Sequence, residues 1–176
     1  MNKAIAISIG VLGLAGVVWA QASKAQGTVT VGTTKVALTS GMAVGYTAPN
    51  GKLVSVLLSD KAADPKEFAT DTKIGAGESY MAGIFEGAWK SQHNGKKFSG
   101  FMFTVGPAGR LMTEEFLVGG RNNTFSIGSD EYTVELTSTS PRIVGRIRTK
   151  TPIVDAGSKK AGIDATFDIP VAAVGK

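Results

Sequence analysis

The chain has no cysteine and a single histidine. Without thiols there is no disulfide, no cysteine nucleophile, no thiolate metal site and no haem held through thioethers. A lipid anchor on a modified cysteine is excluded by the same absence. One imidazole does not supply the several His or Cys ligands that zinc normally takes, and no metal or other cofactor is expected. Aromatic residues make up only 7% of the chain. Past residue 20, no apolar run is long enough to cross a membrane as a helix.

The one long apolar run lies at the start. Lys3 gives a positive beginning, Ala4 to Ala20 carries no charge, and Ala20-Gln21-Ala22 has the small-x-small form of a cleavage site. That order of charge, apolar run and small residues is what an export signal needs. The expected organisation is therefore a signal peptide over residues 1–22 and an exported domain over residues 23–176. Ser23-Lys24-Ala25 offers a second cleavage site. The competing reading is an uncleaved inner-membrane anchor over residues 4–20, since 17 uncharged residues lie at the short limit of a span. Gly10, Gly13 and Gly16 dilute that run and favour cleavage. Both readings place the domain beyond the inner membrane, in the periplasm or outside the cell.

What remains is rich in glycine, with Thr, Val and Ser in short runs. It is one domain's worth of chain, enough to bury roughly 70% of its unfolded surface. The pattern predicts an all-β fold: a single antiparallel β-sandwich, or a barrel, of about nine or ten strands with one short helix. Strands are expected at Thr28–Val31, across Val36 to Tyr46 with a bend at Ser40-Gly41, and at Leu53–Ser59, whose two faces both read as buried. Further strands follow at Tyr80–Trp89, Phe98–Val105, Arg110–Val118, Thr124–Ile127, Glu131–Thr139, Arg142–Thr149 and Ile163–Ile169. Asp64-Pro65-Lys66-Glu67 predicts the helix, over about Pro65 to Thr70. Thr151 to Gly162 reads as the longest loop. Met81, Phe85 and Trp89 share one expected core face, as do Phe101, Phe103 and Val105.

Motifs for catalysis are weak. His93 sits in a polar turn, and no serine lies in a nucleophile-elbow pattern. Asp60, Asp64, Glu67 and Asp71 read as a cap and solvated face around the short helix, because calcium loops need alternating acids with a glycine. Gly83 to Ser91 resembles a phosphate loop only until Ala88-Trp89 separates glycine from lysine. Lys97 to Phe103 echoes the aromatic strand of RNA-recognition domains, yet its phenylalanines fit a core better, so no nucleic-acid partner is expected. Asn122-Asn123-Thr124 fits an N-glycosylation triplet.

Charge is the most informative feature of residues 23–176. Their net charge is +4, but residues 142–160 hold six cations and one acid, or +5, which leaves the rest at −1. In Arg142–Lys150 the even positions carry Arg142, Arg146, Arg148 and Lys150, while Ile143 and Ile147 occupy odd ones. One strand face is then core and the other a cationic stripe. With Ser140-Pro141 as a two-residue hairpin loop, Glu135 faces Arg146 and Glu131 faces Lys150. Arg142 and Arg148 are left with no acid directly opposite, and Lys159 and Lys160 follow on the loop. Those four residues form the expected patch for an anionic partner: an acidic protein or an anionic envelope component. The expected function is a non-enzymatic exported binding module. The alternatives are a β-barrel carrier of an apolar small molecule and an assembly subunit that associates through strand edges.

Overall fold

A computed structural model describes residues 23–48, 51–63, 98–118, 124–156 and 159–173. The predicted helix at about Pro65 to Thr70, the predicted strand Tyr80–Trp89 and His93 lie outside the described residues, as does the proposed signal peptide.

The fold is all-β. Eleven strands are described: β1 Lys24–Val31, β2 Thr34–Leu38, β3 Ser40–Ala48, β4 Gly51–Ser59, β5 Gly100–Val105, β6 Leu111–Leu117, β7 Thr124–Phe125, β8 Tyr132–Ser138, β9 Arg142–Thr149, β10 Val154–Ala156 and β11 Lys159–Ala173. They hydrogen-bond in the order β2-β1-β11-β3-β4-β5-β6-β7, with β9 and β10 also on β11 and β8 on β9. The sheet is open and folds back on itself as a sandwich. β2, β1, β11, β9 and β8 make one layer, and β3 to β7 make the other.

Two chain segments carry the sheet from layer to layer. β2 and β3 are separated only by Thr39, whose N–H donates to the Ser59 carbonyl at 2.9 Å. Leu38 points into the main core, whereas Met42 and Val44 point to the far face of the second layer. The bend expected at Ser40-Gly41 is therefore a change of layer one residue earlier. β11 makes the second crossing. It pairs antiparallel with β1 and β9 over most of its length, and then Val171 to Ala173 run parallel to Ala43 to Gly45. This one parallel pairing makes the otherwise antiparallel sandwich a mixed sheet. A strand of 15 residues outruns its partners in the first layer, and its end pairs with the strand it meets.

Apolar alternation from both layers fills the space between them. Val29, Ile143, Ile147, Ile163 and Phe167 meet Val56, Leu58, Phe101, Phe103 and Phe116 in one cluster. The ring centroids of Phe103 and Phe167 lie 5.6 Å apart across the layers, and those of Phe101 and Tyr132 5.5 Å. A hollow barrel interior is thus not what these strands enclose. Every residue from Leu53 to Ser59 is buried, as the double alternation predicts. The second face holds Met42, Val44, Leu57, Met102 and Leu117. On that face the buried hydroxyls of Ser55 and Thr104 bond each other at 2.7 Å. Gly100 lets β4 approach β5 closely, since a Cβ there would lie 2.0 Å from the Leu58 carbonyl oxygen.

The hairpin register is the one expected: Tyr132 pairs Thr149, and Glu135 pairs Arg146. Its loop differs by one residue. Leu136 pairs Gly145, yet Ser138 pairs Val144, so Thr137 is an extra residue bulged out of β8. The segment from Thr151 to Gly162 is also not one loop. β10 and the start of β11 pair within it, Asp155 with Lys160 and Ala156 with Lys159. Lys159 and Lys160 accordingly stand on a strand backbone instead of a loop. No helix among the described residues is long and apolar enough to cross a membrane.

Candidate functional site

Three chain turns converge at one end of the sandwich and leave a cleft of about 840 Å³. The β3–β4 hairpin contributes Gly45, Tyr46, Thr47, Lys52, Leu53 and Val54. The β5–β6 connection contributes Val105 to Gly109, and the end of β8 with its loop contributes Leu136 to Ser140. Val171 of β11 closes the base.

Local sequence explains why the layers part here. β6 carries one extra residue at Met112, because Thr104 pairs Thr113 while Val105 pairs Leu111. β8 carries its own extra residue at Thr137. A bulge bends its strand and raises the twist, so both strands turn away from the plane of the core at the same end. Between them Gly106-Pro107-Ala108-Gly109 makes a tight 3-10 turn, closed by Gly106 N–H donating to the Arg110 carbonyl at 2.8 Å. Gly109 has φ +73°, a conformation that suits glycine. At the base, Gly45 admits Val171. A Cβ there would fall 2.9 Å from the valine Cγ1.

The cleft has two kinds of wall. Leu53, Val54, Val105, Leu136 and Val171 give an aliphatic floor. Thr47, Thr137, Ser138, Thr139 and Ser140 give a rim of hydroxyls. Among the described residues, Tyr46 and Lys52 are its ionisable side chains, and no carboxylate lines it. Tyr46 is tied at its hydroxyl to Ser55 Oγ at 3.2 Å. Lys52 is exposed. A concave, mostly apolar wall with a few placed polar groups is the usual build of a small-molecule site.

A second polar cluster lies in the same layer. Glu114 on β6 is 4% exposed, and both of its carboxylate oxygens accept hydrogen bonds from the return from β7 to β8. Oε1 accepts from Ser126 Oγ, from Ile127 N–H at 3.2 Å and from Gly128 N–H at 2.9 Å, while Oε2 accepts from the Tyr132 hydroxyl at 3.0 Å. Burial pushes the Glu114 carboxyl above its ordinary range, and the four hydrogen bonds only partly offset that. Burial, then the neighbouring Glu114 charge, pushes Tyr132 up as well. This carboxylate ties a turn in place.

The cationic stripe is present as drawn, with Ile143 and Ile147 fully buried and the arginines outward. Its partners differ from expectation. Arg142 Nε bonds Asp168 Oδ1, Arg146 forks onto Asp164 at 2.9 and 2.7 Å, and Arg148 reaches Glu135 at 3.4 Å. Each arginine takes a carboxylate on a neighbouring strand one diagonal step from its direct partner. Considering only the β8–β9 hairpin misses this, because β11 brings Asp164 and Asp168 to the other edge of β9. Arg142, opposite Pro170, and Lys160 stand ten residues apart along β11, so these two are not brought together. Arg142 and Arg148 are engaged with acids, Lys160 is exposed on β11, and of Lys159 only the backbone is described.

The cleft was not legible as a site. Gly106 to Gly109 and Ser140-Pro141 read as turns, and both are turns. Their meeting at one end depends on two bulges that leave no mark in the period-two pattern. No protein-family model, curated protein or solved structure matches the chain.

Proposed function

We propose that this chain is an exported, non-enzymatic binding module and that the cleft at the end of the sandwich is its binding seat. The observation that carries this reading is the cavity itself: about 840 Å³, aliphatic below and hydroxyl-lined above. The volume falls within the range that holds small ligands. Tyr46 and Lys52 provide neither an acid–base pair nor an activated nucleophile, which supports binding over turnover. The ion pairs of Arg142 and Arg148 turn attention from the stripe to the cleft. The filled core likewise moves the carrier idea from a hollow interior to an open end.

Export rests on Lys3, the uncharged run to Ala20 and the small residues at Ala20 and Ala22. Intact mass of the protein from its native envelope tests it. Loss of residues 1–22 is expected, and a membrane-embedded full-length chain would favour the anchor over residues 4–20.

The binding seat is tested by what the purified protein carries. Solvent extraction followed by mass spectrometry should release an apolar small molecule from the parent and much less from Thr139→Trp, which places an indole into the cleft from an exposed loop position. Equal yields from the two proteins would overturn the assignment.

A further inference from the structure

The cleft's wall chemistry carries a narrower statement. We infer that it selects a single-chain amphiphile bearing one acid: an aliphatic tail on the floor and an anionic head at Lys52. This rests on the reading of the cleft as the binding seat.

Leu53, Val54, Val105 and Val171 are aliphatic. Tyr46, the aromatic side chain of the described lining, pairs with Leu53 on the opposite face of the β3–β4 ladder, so the floor of Val54, Val105 and Val171 offers aliphatic contact for a flexible methylene chain and no ring face for stacking. The rim hydroxyls can donate or accept and show little preference for charge. Charge preference comes from Lys52, the one charged residue among the described residues of the lining. An ammonium at the rim favours an anion and disfavours a cation. It stands on β4, paired with Thr47 of β3, one pair from the turn end of the β3–β4 ladder. An acid seated there stays at the wet rim while its tail lies on Val54, two residues along the same strand face, and on Val105 and Val171 beside it. The head then keeps most of its hydration and the tail loses its water. That division avoids the cost of burying a charge.

Decanoate and decanol form the test pair, because they share a tail and differ in the head. Binding is measured by calorimetry on the full chain as expressed and processed by the cell, at low and at raised ionic strength. Decanoate should bind more tightly than decanol at low salt, and the gap should narrow as salt rises. Lys52→Gln should weaken decanoate about threefold to fivefold at low salt and leave decanol unchanged. Lengthening the acid should tighten binding by up to about fourfold per buried methylene. Thr139→Trp should weaken both ligands, with thermal melting confirming that it folds. Equal affinity for the acid and the alcohol, or no effect of Lys52→Gln on decanoate, would overturn the acid selection while leaving the cleft as a seat. Indifference of both ligands to Thr139→Trp would place the binding elsewhere and overturn the cleft reading itself.

Discussion

The hydroxyl of Tyr132, at the start of β8, donates to Oε2 of Glu114 on β6 at 3.0 Å. This bond links the two layers where no backbone pairing is described between them. The other oxygen of the same carboxylate holds Ile127 and Gly128. Glu114→Ala would leave the buried Tyr132 phenol, two part-buried N–H groups and the Ser126 hydroxyl without their acceptor, at a cost of about 2–4 kcal/mol. Glu114→Gln keeps an oxygen for the amides and should cost much less. Urea midpoints of the two variants check the order, and equal losses would show that shape, not acceptance, is what the site needs.

The same residue makes stability depend on pH. Its folded pKa is raised by burial, so the fold favours the protonated form. The stabilisation is fully present below the ordinary glutamate value and is lost as pH rises through the raised one. Glu114's contribution to the urea midpoint should therefore fall with rising pH in that window, and Glu114→Gln should abolish that component. An identical pH profile in parent and variant would refute it.

Phe103 is fully buried and meets Phe101 and Phe167 at 5.8 and 5.6 Å. Phe103→Ala should destabilise by about 3–5 kcal/mol, as removal of a buried ring does. Phe103→Leu should recover much of that. An alanine variant with the parent's denaturation midpoint would mean that the layers are not joined through these rings.

Arg146 holds Asp164 below the usual carboxylate range, chiefly through their hydrogen bond. A depressed acid contributes stability above its unfolded value and loses it as pH falls through the folded one. Carbon-detected NMR titration of the Asp164 carboxyl should show an upward move in Arg146→Gln, toward an ordinary aspartate. The pair is exposed, so melting should change little. An unmoved Asp164 titration would mean that the fork does not persist in solution.

Much of this fold is legible in particular residues. Ile143 and Ile147 at odd positions, with arginines between them, fix which way β9 faces, and Ile163, Ala165, Phe167 and Ile169 do the same for β11. Those signals depend only on a period of two. The neighbours that complete a charge are not written in a period. Asp168 finds Arg142 because β11 pairs with β9, a contact between residues 26 apart that no hairpin implies. β10 is three residues long and pairs with the strand that follows it, too short for alternation to declare it. The cleft depends on bulges, each a single residue out of step, and on Val171 arriving at Gly45 by a parallel pairing.

The bulge at Thr137 gives the last prediction. Leu136 pairs Gly145 before it and Ser138 pairs Val144 after it, so Thr137 is the residue that throws the end of β8 outward. Its hydroxyl donates to the Val144 carbonyl at 3.3 Å, which holds the bulge against β9. Deleting Thr137 would let Ser138 follow Leu136 directly, opposite the same Val144. Ile143 and Ile147 belong to the partner strand and would keep their faces, so the hairpin should still form and the core should remain intact. What changes is the rim, which loses one residue of reach just where Leu136 to Ser140 border the cleft. A protein lacking Thr137 should therefore melt close to the parent and bind decanol and decanoate several-fold more weakly. Should it bind both as tightly as the parent while still folded, the shape of the cleft is not set by this bulge.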